Sequence, residues 1–199
     1  MKIPIPGALL NVVLVSALLS VSCTAQAGDT SLESLRQLTK DGKLPAESAV
    51  AGIESRYAGK KTGALAKLLR ARIRFENKDF AGAATILDSG DFAKLTKVAD
   101  YAMWLRGRAL QQGGDHVRAK AVFESLIAEH PDSLRARDAR ILWADSAVKS
   151  GDAMKVPAFL ADEIADRTAS ALLATAKAYE ALNDQPNAVA FYRRTYSYG

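Results

Sequence analysis

Apolar and polar positions follow two different patterns along this chain. From Ala8 to Val21 they are almost continuously apolar, and Lys2 is the only charge before Asp29. From Gly63 onward Ala, Leu, Arg and Glu recur at helical spacing, interrupted by short Gly, Asp or Pro punctuation. Ala119, Val122, Phe123, Leu126 and Ile127 stand at i, i+3, i+4, i+7 and i+8, a single apolar stripe on one helix. Between the two regimes, Thr30-Ser31-Leu32-Glu33 has the form of a capping box. It predicts a short helix to about Thr39, ended by Lys40-Asp41-Gly42. Pro45 and Glu47 open a second helix, which runs through Tyr57 and stops near Gly59. No stretch combines period-two alternation with β-branched enrichment, so the pattern predicts an all-α chain.

The leading apolar run is too short to cross a bilayer about 30 Å thick, which takes about 20 helical residues. A basic start, a short apolar centre and the small-x-small step Ala25-Gln26-Ala27 make residues 1–27 a secretory signal peptide, cut after Ala27. Cys23 opens an alternative, because a Cys just after the apolar centre resembles the bacterial lipoprotein signal, where it carries the lipid anchor. Ser20 stands where that signal usually has Leu. Either route expects a periplasmic protein, or an outer-membrane lipoprotein in the second case. The mature chain then has no transmembrane helix and no free thiol, which suits an oxidising compartment. The remainder divides into an N-terminal helix pair at 28–62 and repeats at 63–199.

Charge and composition remove several functions. The chain carries a formal charge of +5 over 199 residues, and its pI of about 9.3 invites a nucleic-acid reading. Export argues against a nucleic-acid partner, and the Lys and Arg are interspersed with Asp and Glu rather than gathered into a run. One Cys and two His, His116 and His130, leave little for a metal site or a His-based triad. No Gly-rich phosphate loop is present, since Gly113-Gly114 reads as a helix stop. No cofactor or metal is expected.

The punctuation repeats. Lys78-Asp79, Gly114-Asp115, Gly151-Asp152 and Asn183-Asp184 place their Asp residues 36, 37 and 32 positions apart. Four residues after each Asp come Ala83, Ala119, Val156 and Ala188, and four further on Leu87, Phe123, Leu160 and Tyr192. Gly107 and Ala176 form a matching small position upstream, with Leu110 and Tyr179 three residues later. These markers resemble the tetratricopeptide family, whose period is about 34 residues, over residues 64 to 199. The resemblance implies an α-solenoid of about four to five helix pairs. In it, small residues at Gly107 and Ala119 let the helices of a pair cross closely, with Phe123 and Leu110 filling the wedge. In the third unit Val156-Pro157 replaces the small residue, and Pro157 is expected to shorten or kink the second helix.

A finer likeness sets the context. The block Glu129-His130-Pro131-Asp132-Ser133 resembles a step between units in tetratricopeptide proteins of the bacterial envelope. The segment from Ala178 to Tyr198 is similar to the α-superhelical N-terminal region of soluble lytic murein transglycosylases. That family's catalytic acid lies in a Glu-Ser-x-Phe stretch followed by Gly-Leu-Met-Gln. Glu54-Ser55-Arg56-Tyr57 has the first half and nothing supplies the second, so Glu54 is expected to be an exposed charge on a short helix. The resemblance thus implies the family's scaffold without its catalytic domain, with any such domain lying beyond Gly199. The partners implied are an envelope protein, peptidoglycan, or both.

The first helix of each pair in such a stack lines the surface where partners bind. In this register that face carries Arg72, Tyr101, Trp104, Arg108, Gln111, Ile141, Asp145, Leu173 and Lys177. Tyr101, Trp104 and Arg108 lie at i, i+3 and i+7 and share one side. Trp, Tyr and Arg are the types enriched in binding hot spots, and aromatic faces also stack on sugar rings. Trp104 and Trp143 also fit as packing residues between neighbouring pairs.

Overall fold

The computed structural model describes residues 30–198, and the Cys23 and Ala27 processing positions lie outside them, as does the side-chain half of the Thr30 capping box. All regular structure among the described residues is helical. The helices are α1 (Thr30–Leu38), α2 (Glu47–Arg56), α3 (Lys61–Glu76), α4 (Phe80–Leu87), α5 (Asp91–Leu95) and α6 (Ala99–Gln112). They continue with α7 (His116–Glu129), α8 (Ala136–Lys149), α9 (Val156–Phe159), α10 (Ala161–Ala165), α11 (Ala169–Ala181) and α12 (Gln185–Tyr198). Successive helices pack as an α-solenoid of pairs: α3 with α4, α6 with α7, α8 with α9, α11 with α12, and the short α10 rests on α9 and α11. The second helix of a pair also packs on the next first helix, α2 on α3, α4 on α6 and α7 on α8. None of these helices is long and apolar enough to cross a membrane.

Each pair turns on the same device. The residue before the repeated Asp is left-handed in all four units: Lys78 (φ 63°), Gly114 (φ 83°), Gly151 (φ 87°) and Asn183 (φ 60°). The following Asp N–H reaches back five residues, Asp79 to the Arg74 carbonyl at 2.8 Å and Asp115 to that of Leu110 at 2.9 Å. Asp152 does the same to Ala147 at 2.7 Å and Asp184 to Tyr179 at 2.9 Å. This is the Schellman closure, which satisfies carbonyls left over at a helix end. Lys78 occupies a position where only glycine escapes a steric penalty.

The Asp then caps the next helix. Asp79 accepts from the Gly82 N–H at 2.9 Å, Asp115 from Arg118 at 3.0 Å and Asp184 from Asn187 at 3.2 Å. Asp152 does not cap; its carboxylate takes Lys120 and Lys155 instead. Its unit opens with a 3-10 turn (Ala153–Lys155), and the second helix is broken at Leu160 into the short α9 and α10. Pro157 has no N–H to return to Ala153, so the first turn cannot close as an α-helix. Arg140 from α8 covers the break, donating to the Phe159 carbonyl, lying 4.7 Å from the Phe159 ring centroid and pairing with Glu163.

The core follows the repeat markers. Ala83, Ala119, Val156 and Ala188 are buried, as are Leu87, Phe123 and Leu160, whereas the matching Tyr192 is partly exposed. A Cβ on Gly107 would overlap the Phe123 ring, so the glycine is what lets α6 and α7 approach. The repeats also hold what periodicity does not show. The short α5 is an addition between α4 and α6, fastened to α3 by Lys67 Nζ, which is 2.5 Å from Asp91. Glu54 is not the exposed charge expected of it. Its side chain is only 17% exposed and pairs with Arg70 at 2.9 Å, while Glu47 receives Arg74 at 2.7 Å. Two carboxylates of α2 therefore lock onto two guanidinium groups of α3, a structural use that explains an acid in this position.

The caps make stability acid-sensitive. The Arg118 backbone N–H, then its guanidinium, hold the Asp115 carboxyl below its ordinary range. The Lys67 ammonium and the Ser89 hydroxyl do the same for Asp91. A carboxyl lowered by folding contributes fully above its unfolded pKa of about 4 and loses that contribution as pH falls through the lower folded value. Urea midpoints should therefore hold level from neutrality to about pH 5 and fall below about pH 4. Asp115→Asn should flatten part of that fall; an unchanged profile would contradict this account of the cap.

Candidate functional site

The first helices α3, α6, α8 and α11 carry the candidate face, and α6 holds its centre. Tyr101 and Trp104 are one turn apart and stack at 5.8 Å with their planes 24° apart. Arg108 lies one turn further on, its guanidinium 4.9 Å from the Trp104 centroid and 5.5 Å from Phe75 of α3. From the segment entering α8, Arg135 sits 4.5 Å from the centroids of both Tyr101 and Trp104. The indole Nε1–H donates to Asp138 Oδ2 at 2.5 Å. The ring is thus flanked by two guanidinium groups and tied to α8. Each such cation–π contact is worth about 0.5–1 kcal/mol where exposed. Its larger effect is to order both arginines before a partner arrives, which lowers the entropic cost of binding.

The remaining candidates divide. Arg72 and Tyr101 open onto one groove of about 480 Å³ between α1, α3 and α6. Ile141, Asp145, Leu173 and Lys177 line a separate cleft of about 140 Å³ between α8 and α11. Gln111 sits with neither set. It is 7% exposed, and its amide donates to the Leu142 carbonyl, Asp145 and Ser146 at 3.0–3.1 Å. Gln111 is therefore a clip between α6 and α8, because a buried amide must spend its donors inside the protein. Trp143 is likewise internal: 3% exposed, stacked on Phe159 at 3.8 Å and bonded to Glu124 at 2.7 Å.

Arg135, Phe75 and Asp138 belong to the cluster but are not legible from the helix stripe. Arg135 precedes α8 rather than lying on it, so no helical period places it beside Tyr101. His116 opens α7 and His130 follows its last residue, about 20 Å apart at 1.5 Å per residue. No group of three or more metal-ligating residues gathers among the described residues. The cluster offers recognition chemistry: ordered cations, aromatic edges and an apolar groove beside them.

The tetratricopeptide-repeat family model matches residues 101–133 and 170–198. No curated protein matches the chain. The matched stretches cover the α6/α7 and α11/α12 units and begin 69 residues apart, the same interval that separates Asp115 from Asp184. In that register Trp104 corresponds to Leu173 and Arg108 to Lys177. The unit broken at Leu160 lies between them and is not matched.

Proposed function

With tetratricopeptide repeats in two units of the solenoid as the premise, we propose that this chain is a protein-interaction scaffold working in the bacterial envelope. The single observation that carries the binding role is the Tyr101–Trp104–Arg108–Arg135 cluster on the first-helix face. It concentrates the residue types that dominate hot spots and holds them ordered. The envelope assignment rests on the sequence: the apolar run, the Ala25-Gln26-Ala27 step and the alternative anchor at Cys23. Likeness to the superhelical region of lytic transglycosylases supports a role in cell-wall maintenance.

A protein partner fits the cluster better than a glycan. A sugar stacks on an open aromatic face, and the Trp104 ring is already flanked by Arg108, Arg135 and Tyr101. A protein segment can use the outward edges of those guanidinium groups without displacing them. The test is affinity purification of the processed protein from the envelope fraction, with wild type and a Trp104→Ala, Arg108→Ala double variant. The double variant is expected to lose a co-purifying protein while keeping its helical circular dichroism and its negligible retention on murein sacculi. Identical co-purification by both forms, or sacculus binding that Trp104 controls, would overturn the reading. A mature N-terminus at Gly28 or a lipidated Cys23 is expected on mass spectrometry; an intact Met1 would contradict export.

A further inference from the structure

Beside the cluster, the groove between α1, α3 and α6 has a composition that specifies its occupant. One wall is Leu32 and Leu35 of α1, a turn apart, and the other is Leu65, Leu68 and Leu69 of α3. The rim is cationic, made of Arg36, Lys61 and Arg72, with Tyr101 at the end nearest the aromatic cluster. Among the described residues no Asp or Glu lines it. Among the described residues, Arg36 and Arg72 reach carboxylates on their own helices alone, at 3.8 Å to Glu33 and 3.9 Å to Glu76. Both arginine side chains are more than half exposed. Such exposed pairs contribute little to stability, so a partner's carboxylates exchange for them at small cost.

We propose that this groove receives an amphipathic helix of a partner protein, with leucine-sized side chains on one face and carboxylates flanking them. Charge complementarity selects the acidic partner: a basic helix would bury leucines equally well but bring further positive charge against three cations, and a neutral one would gain nothing from them. Docking here would also run the partner directly onto Tyr101 and the ordered arginines. This proposal rests on the first-helix face being the binding face, and it adds the location and chemistry of one contact.

The probes are two synthetic fluorescein-labelled peptides with the same leucine spacing, one with Glu and Asp at the flanking positions, the other with Lys. Fluorescence anisotropy with the processed chain should show the acidic peptide binding and the basic one at least about tenfold weaker, with the acidic affinity falling as salt rises. Arg72→Glu should weaken the acidic peptide by about tenfold and narrow the preference. Leu32→Asp, on the peripheral α1, should do so through the apolar wall. Arg118→Glu, exposed at the start of α7, should change nothing. Equal binding of both peptides, or acidic binding indifferent to Arg72 and Leu32, overturns the proposal. Acidic binding lost with Trp104→Ala but not with Arg72→Glu would refute the groove while leaving the scaffold reading intact. Loss of the co-purifying protein's Trp104 dependence would refute the scaffold reading itself.

Discussion

Phe123→Ala is expected to lower the unfolding free energy by about 3–5 kcal/mol, the range for emptying a buried aromatic site. Phe123 is fully buried and occupies the one place where α6 and α7 approach over a glycine. Urea unfolding followed by circular dichroism measures it. The pairing gives a sharper signature than the single loss. Gly107→Ala alone should destabilise by about 1–3 kcal/mol, since its Cβ would overlap the ring, even though alanine gains about 1 kcal/mol over glycine in a helix. In a Phe123→Leu background the same change should become neutral or stabilising, because the overlapping ring is gone. A coupling energy near zero across that cycle would mean the two residues do not meet as described.

Trp143→Ala is expected to cost a similar amount, about 3–5 kcal/mol, but to break the molecule differently. Trp143 joins three elements, standing on α8, stacked on Phe159 of α9 and bonded to Glu124 of α7. The second half of that unit has only the short α9 and α10 to offer in return. In a solenoid, stability is a sum of unit terms and nearest-neighbour interfaces, so weakening the poorest unit should uncouple what lies on either side. Unfolding of Trp143→Ala should separate into two transitions, the first with a reduced urea dependence. Phe123→Ala should remain a single transition at lower urea. One cooperative transition in Trp143→Ala would show that the broken unit is not the weak joint.

Much of this architecture was legible because each repeat marker has one local cause. Gly114 and Gly151 sit where the chain turns left-handed, Asp79, Asp115 and Asp184 cap, and Pro157 denies its unit's second helix an ordinary first turn for want of an N–H. What the stripe could not show is whatever crosses between units or leaves the helical period. Arg135 reaches Tyr101 and Trp104 from the segment before α8. The Glu54–Arg70 pair forms because α2 and α3 happen to face each other across those positions, which no spacing encodes. Gln111 shares the helix side of Trp104 and Arg108, yet the approach of α8 buries it against Asp145 and Ser146, while Trp104 half a helix away stays partly open. The leucine groove was hidden for a related reason: its two walls lie on α1 and α3, and neither helix alone shows an unfilled space.

The most direct test of the central claim is a hydrogen-exchange footprint of this protein in complex with the partner that it co-purifies. Slowed amide exchange is expected on α3, α6 and α8, centred on Tyr101, Trp104 and Arg108, with α4, α7 and α12 unchanged. Protection confined to the second helices, with the α6 face as exposed in the complex as in the free protein, would contradict it.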